Sequence, residues 1–284
     1  MSPQKILEKK KVQLSPELQR AADFICQYPS EAMTLSMRTF ATQVGVKPAT
    51  LLRLAQRLEY TGWEAFKQDF VQGLGLNPES HQSRAKKLLS HNSAASLYQA
   101  MFNAHNQNLT DTRQQNHQQM SAAIEALYQA DHVYVCGFRA SYPVAYTLFY
   151  SYRLFEKEVS LIDGQASNYE VFTRELTTND VIVMIGFSPY SRESLDVLEA
   201  SRQAGSKIVA LTDSPLSPLA RYASHTLYFS SQSPSFFPSV VAACGMAESL
   251  LALLVTRYGE TAVKQIASAE QFFLSCGAWM KGTD

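Results

Sequence analysis

The chain has 284 residues, 46% of them hydrophobic and 18% charged, and its 25 basic and 25 acidic side chains leave it neutral at pH 7. This composition is that of an ordinary soluble globular protein, and the length allows two domains. Because no apolar run approaches the ~20 residues of a membrane span and the four cysteines are far apart, we expect a cytoplasmic protein without membrane span, metal site or cofactor.

The first predicted elements form an all-α N-terminal domain, residues 1–76. Within it, residues 39–58 have the sequence TFATQVGVKPATLLRLAQRL, which predicts two short amphipathic helices joined by a turn at Gly45. Glycine permits the left-handed backbone that the turn of a helix-turn-helix needs. The apolar face of the first helix is predicted to contain Phe40, Ala41 and Val44, and that of the second Ala49, Leu52, Leu54, Ala55 and Leu58.

The outward face predicted for the second helix is polar and basic, which suits contact with DNA. Its members are Lys47, Thr50, Arg53, Gln56 and Arg57. We predict Arg53 and Thr50 at base edges, with Lys47 and Arg57 at phosphates. Ten basic and seven acidic residues give positions 1–76 a net charge of +3, the sign that phosphate contact requires. The alternative is an ordinary pair of packed helices with solvated basic residues.

A polar connecting segment follows, residues 77–125. Glycines and a proline at residues 73–78 predict a loop that ends the first domain. One or two long helices are predicted in the segment, at about residues 94–108 and 116–129. Its low content of aliphatic residues favours disorder around residues 81–91.

In residues 126–284, short apolar β-branched runs alternate with helical patterns. The predicted strands are His132–Cys136, Val159–Ile162, Val181–Ile185, Lys207–Leu211 and Thr226–Phe229. The predicted helices are Tyr142–Phe155, Ser167–Glu175, Ser191–Ala204 and Pro218–Tyr222, followed by helices at about residues 238–258 and 260–279. Five such repeats predict an α/β domain with a doubly wound, parallel, five-stranded sheet, whose ligands bind outside the carboxyl ends of the strands.

Three loops at that edge of the sheet, residues 137–141, 186–193 and 212–218, carry hydroxyl and basic side chains. Hydroxyls, guanidinium groups and helix N-termini all bind anions. Each loop alone is also explained as a turn with a helix cap, but the three together favour a ligand site. The candidate ligand-binding residues are Arg139, Ser141, Ser188, Ser191 and Arg192.

The two halves together resemble the RpiR-type bacterial transcriptional regulators, which join an N-terminal helix-turn-helix domain to a C-terminal sugar isomerase (SIS) domain. The resemblance covers about residues 12–255. In the first half it lies in Leu14-Ser15-Pro16, residues 21–25, Gly45-Val46, Ala49-Thr50, Arg53, Arg57-Leu58, Gly62-Trp63 and Phe66-Lys67, and in the second half in Thr212-Asp213, residues 217–220 and Ala223. The resemblance implies a regulator that binds double-stranded operator DNA and senses a metabolite.

The chain departs from the family pattern at the recognition helix and at two loops. Lys47 stands where the family usually has a serine that caps this helix. After the first strand, Arg139 replaces the second glycine of a Gly-x-Gly-x-Ser motif. After the third strand, Gly186, Ser188, Pro189 and Ser191 replace a Ser-x-Ser-Gly-x-Thr motif. Because proline has no N–H to donate, a phosphate cradle made of backbone amides is weakened.

Guanidinium groups are expected to compensate for the weakened cradle. Arg139 and Arg192 would bind phosphate or carboxylate in a bidentate manner, together with the loop serines. We therefore expect a small anionic effector: a sugar phosphate, a sugar acid or another carboxylate. The alternative is that both arginines form surface ion pairs, for example with Glu170 or Glu193.

A SIS enzyme that isomerises aldose and ketose phosphates is the main competing interpretation. It would need a base, for which Glu170 and Glu248 are candidates, and usually a His or Lys to open the sugar ring. No histidine follows His225, and an isomerase needs no basic helix-turn-helix, so we predict a regulator without catalytic residues. In a homodimer or homotetramer, the effector would change the spacing of the DNA-reading domains by a population shift. A dimeric scaffold without an effector is the third alternative.

Overall fold

The structure is a computed structural model that describes residues 7, 14–27, 32, 36–73, 80–89, 93–116, 119–164 and 169–279. The chain divides into two compact units, the first built mainly on residues 1–79 and the second mainly on residues 80–284. The finer limits predicted from the sequence, with a connecting segment at 77–125, stay a prediction. The loop predicted at residues 73–78 lies almost wholly outside the described residues.

The first unit contains the helices α1 (Pro16–Gln27), α2 (Met37–Val44), α3 (Pro48–Arg57) and α4 (Trp63–Gly73). Aromatic side chains fill its core, since Phe40, Phe66 and Phe70 have no exposed surface. Phe40 also stacks on Trp63, with the ring centroids 5.8 Å apart. Burial of these aromatic side chains stabilises a small helical unit and joins α2 to α4.

The turn between α2 and α3 has the predicted geometry. Gly45 ends α2 with φ +72°, and a Cβ there would have no neighbour within 4 Å, so the need for glycine is conformational. Ser36 caps α2, its hydroxyl accepting the N–H of Thr39 at 3.2 Å. Lys47 occupies the N-cap of α3 without a side-chain cap bond, and Pro48 begins the helix.

The second unit opens with α5 (His81–Leu88), α6 (Ala94–Gln115) and α7 (Met120–Tyr128). The disorder expected around residues 81–91 is therefore wrong for residues 81–89. No side chain of α5 is fully buried, and two side-chain bonds to the backbone hold the helix instead. Nδ1 of His81 lies 3.0 Å from the carbonyl oxygen of Phe236, and Nη2 of Arg84 donates to the carbonyl oxygen of Ser233 at 2.8 Å.

The sheet of the second unit contains β1 (Val133–Gly137), β2 (Val159–Ile162), β3 (Val181–Gly186), β4 (Lys207–Thr212) and β5 (His225–Tyr228). The strand order is β2-β1-β3-β4-β5, and all neighbouring strands are parallel. Each predicted strand is confirmed to within one residue at either end. The direction of winding reverses between β1 and β3, the position at which such sheets bind ligands.

Helices cover both faces of the sheet: α8 (Tyr142–Tyr152), α9 (Tyr169–Thr173), α10 (Arg192–Ala204) and α11 (Pro218–Tyr222) connect the strands, and α12 (Val241–Tyr258) and α13 (Glu260–Ser275) follow. Val133 and Val135 of β1 enter one hydrophobic cluster, whereas Tyr134 and Cys136 enter another. Because neighbouring residues of a strand point to opposite faces, the sheet is the middle of three layers, which confirms the doubly wound α/β prediction.

Side chains of α6 and of Asn116, the C-cap residue that ends it, pair with the open edge of β5 and with the chain that follows β5. Asn116 donates to the carbonyl oxygen of Tyr228 at 2.6 Å and accepts its N–H at 2.7 Å. Thr112 accepts the N–H of Ser230 at 2.9 Å, and Asn108 accepts the Ser230 hydroxyl at 2.8 Å. These side chains satisfy backbone groups that an edge strand otherwise leaves open.

The helix α12 is, among the described helices, the one long and apolar enough to cross a membrane by length and composition. In the structure it packs against α6, α7 and α8 and shares a hydrophobic cluster with one face of the sheet. Ala243, Ala247, Leu250 and Leu254 have no exposed surface. Its place in the core of the second unit therefore accounts for its apolar composition.

Candidate functional site

The buried face of α3 differs from the predicted one. Its buried apolar residues are Leu51, Leu54, Ala55 and Leu58, whereas Ala49 and Leu52 are exposed. The prediction that Ala49 and Leu52 belong to the buried stripe is wrong. Positions 51, 54, 55 and 58 keep the i, i+3, i+4, i+7 spacing of one helix face, and position 52 lies off that face.

Thr50 does not project outward, contrary to the prediction. It is 4% exposed, and its hydroxyl donates to Oε1 of Glu17 on α1 at 2.9 Å. The residue precedes Leu51 at the border of the buried face and is turned toward α1. Its hydroxyl therefore holds α3 against α1 rather than standing free for a base edge.

The basic residues of α3 remain exposed, as predicted. Arg53, Gln56 and Arg57 line a surface cavity of about 520 Å³, which Glu17 also lines. Lys47 is exposed at the N-terminal end of the same helix. The helix thus presents cations at both of its ends and at its centre on the side away from the core. Cations distributed in this way can contact phosphates and base edges of one DNA duplex at the same time.

A second cavity, of about 260 Å³, lies at the carboxyl ends of β1 and β3, where the strand order reverses. Its wall combines apolar and polar side chains. The aromatic and polar members are Phe138, Phe187, Phe237, Arg139, Ser141, Ser191, Ser194 and His81. Three hydroxyls, a guanidinium and an imidazole on an otherwise apolar wall suffice to orient a small polar ligand.

Two of the predicted serines are brought together at this cavity. Ser141 is 6% exposed and ends the short 3₁₀ turn after β1. Ser191 caps α10, its hydroxyl lying 2.8 Å from that of Ser194 and accepting the Ser194 N–H at 3.2 Å. Sequence reasoning missed Ser194, although its place one helical turn after the cap residue was a usable signal.

Close packing beneath the first loop depends on a glycine. A Cβ on Gly137 would lie 2.6 Å from the Cβ of Ala145 and 3.0 Å from the carbonyl oxygen of Ser141. The absence of a side chain at the end of β1 lets α8 approach the strand. Gly137 therefore allows Ser141 to lie at the carboxyl end of β1, where it lines the cavity.

Ser188 and Arg192 lie outside the lining of the cavity, although the sequence placed them there. Ser188 donates its N–H to Oδ2 of Asp213 at 3.1 Å, and the hydroxyl of Tyr190 donates to Oδ1 of the same carboxylate at 2.7 Å. Asp213 thus ties the loop after β3 to the loop after β4. Arg192 is exposed at the first position of α10. A ligand role for either residue stays a prediction.

Arg139 lies at the rim of the cavity and pairs with a carboxylate. Its Nη2 lies 2.7 Å from Oε1 of Glu193, with the two side chains 72% and 31% exposed. The alternative interpretation of a surface ion pair is therefore the arrangement present. The backbone N–H of Glu193, and then Arg139, hold the pKa of this carboxyl below its usual value. An exposed pair contributes little to stability, so an anion can compete for the guanidinium.

The backbone of Arg139 is left-handed, with φ +54°, where the resembled motif has glycine. We expect Arg139→Gly to be more stable than Arg139→Ala by about 1 kcal/mol, because both variants lose the ion pair and only glycine takes this conformation without strain. Urea unfolding at equilibrium measures the difference. Equal stability of the two variants would contradict backbone strain at this position.

Comparison with known proteins covers both units. Residues 1–74 match the helix-turn-helix domain of the rpiR family, and residues 126–255 match the SIS domain family. In an alignment of 270 positions that covers 88% of this chain and 91% of the relative, the sequence is 24% identical to the uncharacterized HTH-type transcriptional regulator YfhH of Escherichia coli K12.

The solved structures that are similar to the chain include the following two. The sugar isomerase domain of an RpiR transcription factor from Sphaerobacter thermophilus is 27% identical, with a TM-score of 0.58, covering 60% of this chain and 96% of that one. The NanR protein of Vibrio vulnificus, complexed with ManNAc-6P, is 17% identical, with a TM-score of 0.58, covering 96% and 99%. At that identity the second likeness concerns the fold.

Proposed function

Because the chain belongs to the RpiR-type transcriptional regulators, with a helix-turn-helix domain of the rpiR family and a SIS domain, we propose that its SIS domain senses a small anionic metabolite and so controls operator binding. The observation that carries the proposal is the cavity at the ends of β1 and β3, with its hydroxyl and basic lining. Such a regulator would act in the cytoplasm as a homodimer or homotetramer.

The exposed face of α3 supports contact with double-stranded DNA. Arg53, at the centre of this face, is the proposed base-edge contact, because arginine pairs with guanine in a bidentate manner. Lys47 and Arg57, near the two ends of the helix, are the proposed phosphate contacts. Thr50 is assigned the task of holding α3 against α1 through Glu17. Gln56 is added as a second base-edge candidate, since it is exposed one turn after Arg53.

The effector chemistry follows from the lining of the cavity. Ser141, Ser191 and Ser194 offer hydroxyls, and Arg139 at the rim offers a guanidinium that an exposed ion pair holds only weakly. This set matches a ligand that carries one anionic group and several hydroxyls. A sugar phosphate is our first candidate, since the similar NanR protein was crystallised with ManNAc-6P. A sugar acid or other carboxylate is the second.

An isomerase activity receives little support from the placement of its candidate bases. Glu170 on α9 and Glu248 on α12 are both exposed, and neither lines the cavity. His225, at the start of β5, does not line it either. An aldose–ketose isomerisation needs a base within reach of the carbons that exchange a proton. The imidazole of His81 does line the cavity, and we assign it to ligand binding. With neither predicted base in the lining, we propose that the cavity binds its ligand without transforming it.

Control of DNA binding would proceed by a population shift. Two helix-turn-helix domains of a dimer must meet half-sites about one DNA turn apart or a multiple of it. An effector that binds one arrangement of the dimer more tightly changes the fraction of molecules with the matching spacing. The sign of the effect, repression or activation, follows from which arrangement the effector prefers.

Titration calorimetry with a ligand panel tests the effector proposal. The panel contains inorganic phosphate, a hexose 6-phosphate, an N-acetylhexosamine 6-phosphate and a hexonate. We expect one member to bind the wild type, and Ser141→Ala to weaken that binding about 10-fold, because a hydrogen bond to a charged group is lost. Ser249→Ala, on an exposed serine of α12, is the control and should bind normally. If no member binds and none raises the melting temperature, the proposal fails.

A further inference from the structure

The first helix of the second unit contributes a wall of the effector cavity. His81, the first residue of α5, lines the cavity together with the loops after β1 and β3. No pattern in the sequence predicts this position for His81, since the residue lies about 50 residues before the first strand. A residue of the connecting segment thus belongs to the same cavity as Ser141 and Ser191.

The imidazole of His81 is fixed on two sides. Its ring stacks on Phe237, with the centroids 4.9 Å apart and the planes at 27°. Nδ1 lies 3.0 Å from the carbonyl oxygen of Phe236, and because a carbonyl oxygen can only accept, Nδ1 carries the proton of this contact. No described residue forms a hydrogen bond with Nε2. The Nε2 edge is therefore the part of the ring left for a ligand.

The segment that holds His81 is itself anchored. Arg84, one turn further along α5, donates to the carbonyl oxygen of Ser233 at 2.8 Å. The side chain of Asn108 donates to the carbonyl oxygen of Gln232 at 2.7 Å. The backbone from Gln232 to Phe237 thus anchors α5, and we call α5 seated when its bonds to this backbone are formed. A ligand that touched His81 would add a contact to α5 in its seated position.

We infer that Nε2 of His81 accepts a hydrogen bond from a hydroxyl group of the effector, which makes α5 part of the effector site. The inference rests on the proposed function. With Nδ1–H donated to the carbonyl oxygen of Phe236, the lone pair of Nε2 is left to accept from a ligand hydroxyl. Helix α5 lies directly after the chain that leaves the helix-turn-helix unit. Ligand binding would therefore favour the seated position of α5.

Two substitutions of His81 separate its nitrogen atoms. His81→Asn keeps an N–H near the position of Nδ1 and removes Nε2, whereas His81→Gln keeps an acceptor oxygen near the position of Nε2. Lys86→Ala, on an exposed residue of α5 outside the cavity lining, is the matched control. All variants are made in the full chain. Calorimetric titration with the phosphate and carboxylate panel gives Kd, and amide hydrogen exchange of residues 81–88 gives the protection of α5.

We expect His81→Asn to raise the Kd of the bound panel member about 10-fold or more, His81→Gln to recover most of this loss, and Lys86→Ala to change nothing. The ligand should slow exchange in α5 of the wild type. An unchanged Kd in His81→Asn, together with unchanged exchange in α5, overturns this inference and leaves the proposed function standing. Failure of every panel member to bind the wild type overturns the proposed function and this inference with it.

Discussion

Replacing Arg53 with alanine is expected to cost about 1–3 kcal/mol of operator affinity, a loss of about 5- to 150-fold, and to relax discrimination at one base pair. The side chain is exposed at the centre of α3 and lines the same surface cavity as Gln56 and Arg57. A guanidinium there can donate two hydrogen bonds to one guanine. Fluorescence anisotropy against an operator recovered from genomic fragments, and against its single-base variants, measures the loss.

Two other substitutions show whether the loss is specific. Lys47→Ala should weaken binding to operator DNA and to scrambled DNA equally. It should also reduce the slope of log K against log salt concentration by about one, the value for one lost phosphate contact. Arg174→Ala removes the same charge from an exposed position of the second unit and should leave DNA binding unchanged. Equal losses on operator and scrambled DNA for Arg53→Ala would contradict the assigned role in base reading.

Much of the fold follows from sequence patterns with strong physical causes. All six residues of β3 are buried, so its continuous apolar run predicts a central strand directly. The turn of the helix-turn-helix is predicted from Gly45, because few other residues adopt φ +72°. Helix ends are less well predicted. The helix expected from Tyr142 to Phe155 ends at Tyr152, since the last turn of a helix carries little signal.

Elements held by polar contacts escape a search for apolar periodicity. Helix α5 buries no side chain fully and is seated by His81 and Arg84 on backbone carbonyl groups. A hydrophobic pattern cannot predict such a helix. The same reason explains Thr50, whose hydroxyl allows either a solvent-facing or a buried position. Its burial depends on Glu17 of α1, a partner 33 residues away.

The sequence predicted the place of the cavity better than it predicted the residues that line it. The loops after β1 and β3 do form a cavity, because parallel strands bring their carboxyl ends to one edge. Ser141 and Ser191 line it, whereas Ser188 and Arg192 do not. Which side of a short loop faces a cavity depends on tertiary contacts such as those of Asp213. The left-handed backbone of Arg139 could have been predicted from one signal, because the family motif has glycine at this position.

Asn116→Ala is expected to have the largest effect on stability, lowering the free energy of unfolding of the second unit by about 2–4 kcal/mol. Asn116 is 3% exposed and makes two hydrogen bonds to the backbone of Tyr228, at 2.6 and 2.7 Å. Alanine would leave both groups of the edge strand without this partner. Equilibrium urea unfolding followed by circular dichroism measures the loss in the transition of the second unit.

Asn106→Ala is the matched control, because it makes the same exchange at an exposed position of α6. Asn116 is the C-cap residue that ends α6, and its Nδ2 also donates to the carbonyl oxygen of Thr112 at 2.6 Å. The difference between the variants therefore reports the contacts with β5 together with this bond at the end of α6. If Asn116→Ala lost no more than Asn106→Ala, water would satisfy Tyr228 equally well. The edge of β5 would then be held by the apolar contacts of Leu227 and Phe229, both buried in the core against α12.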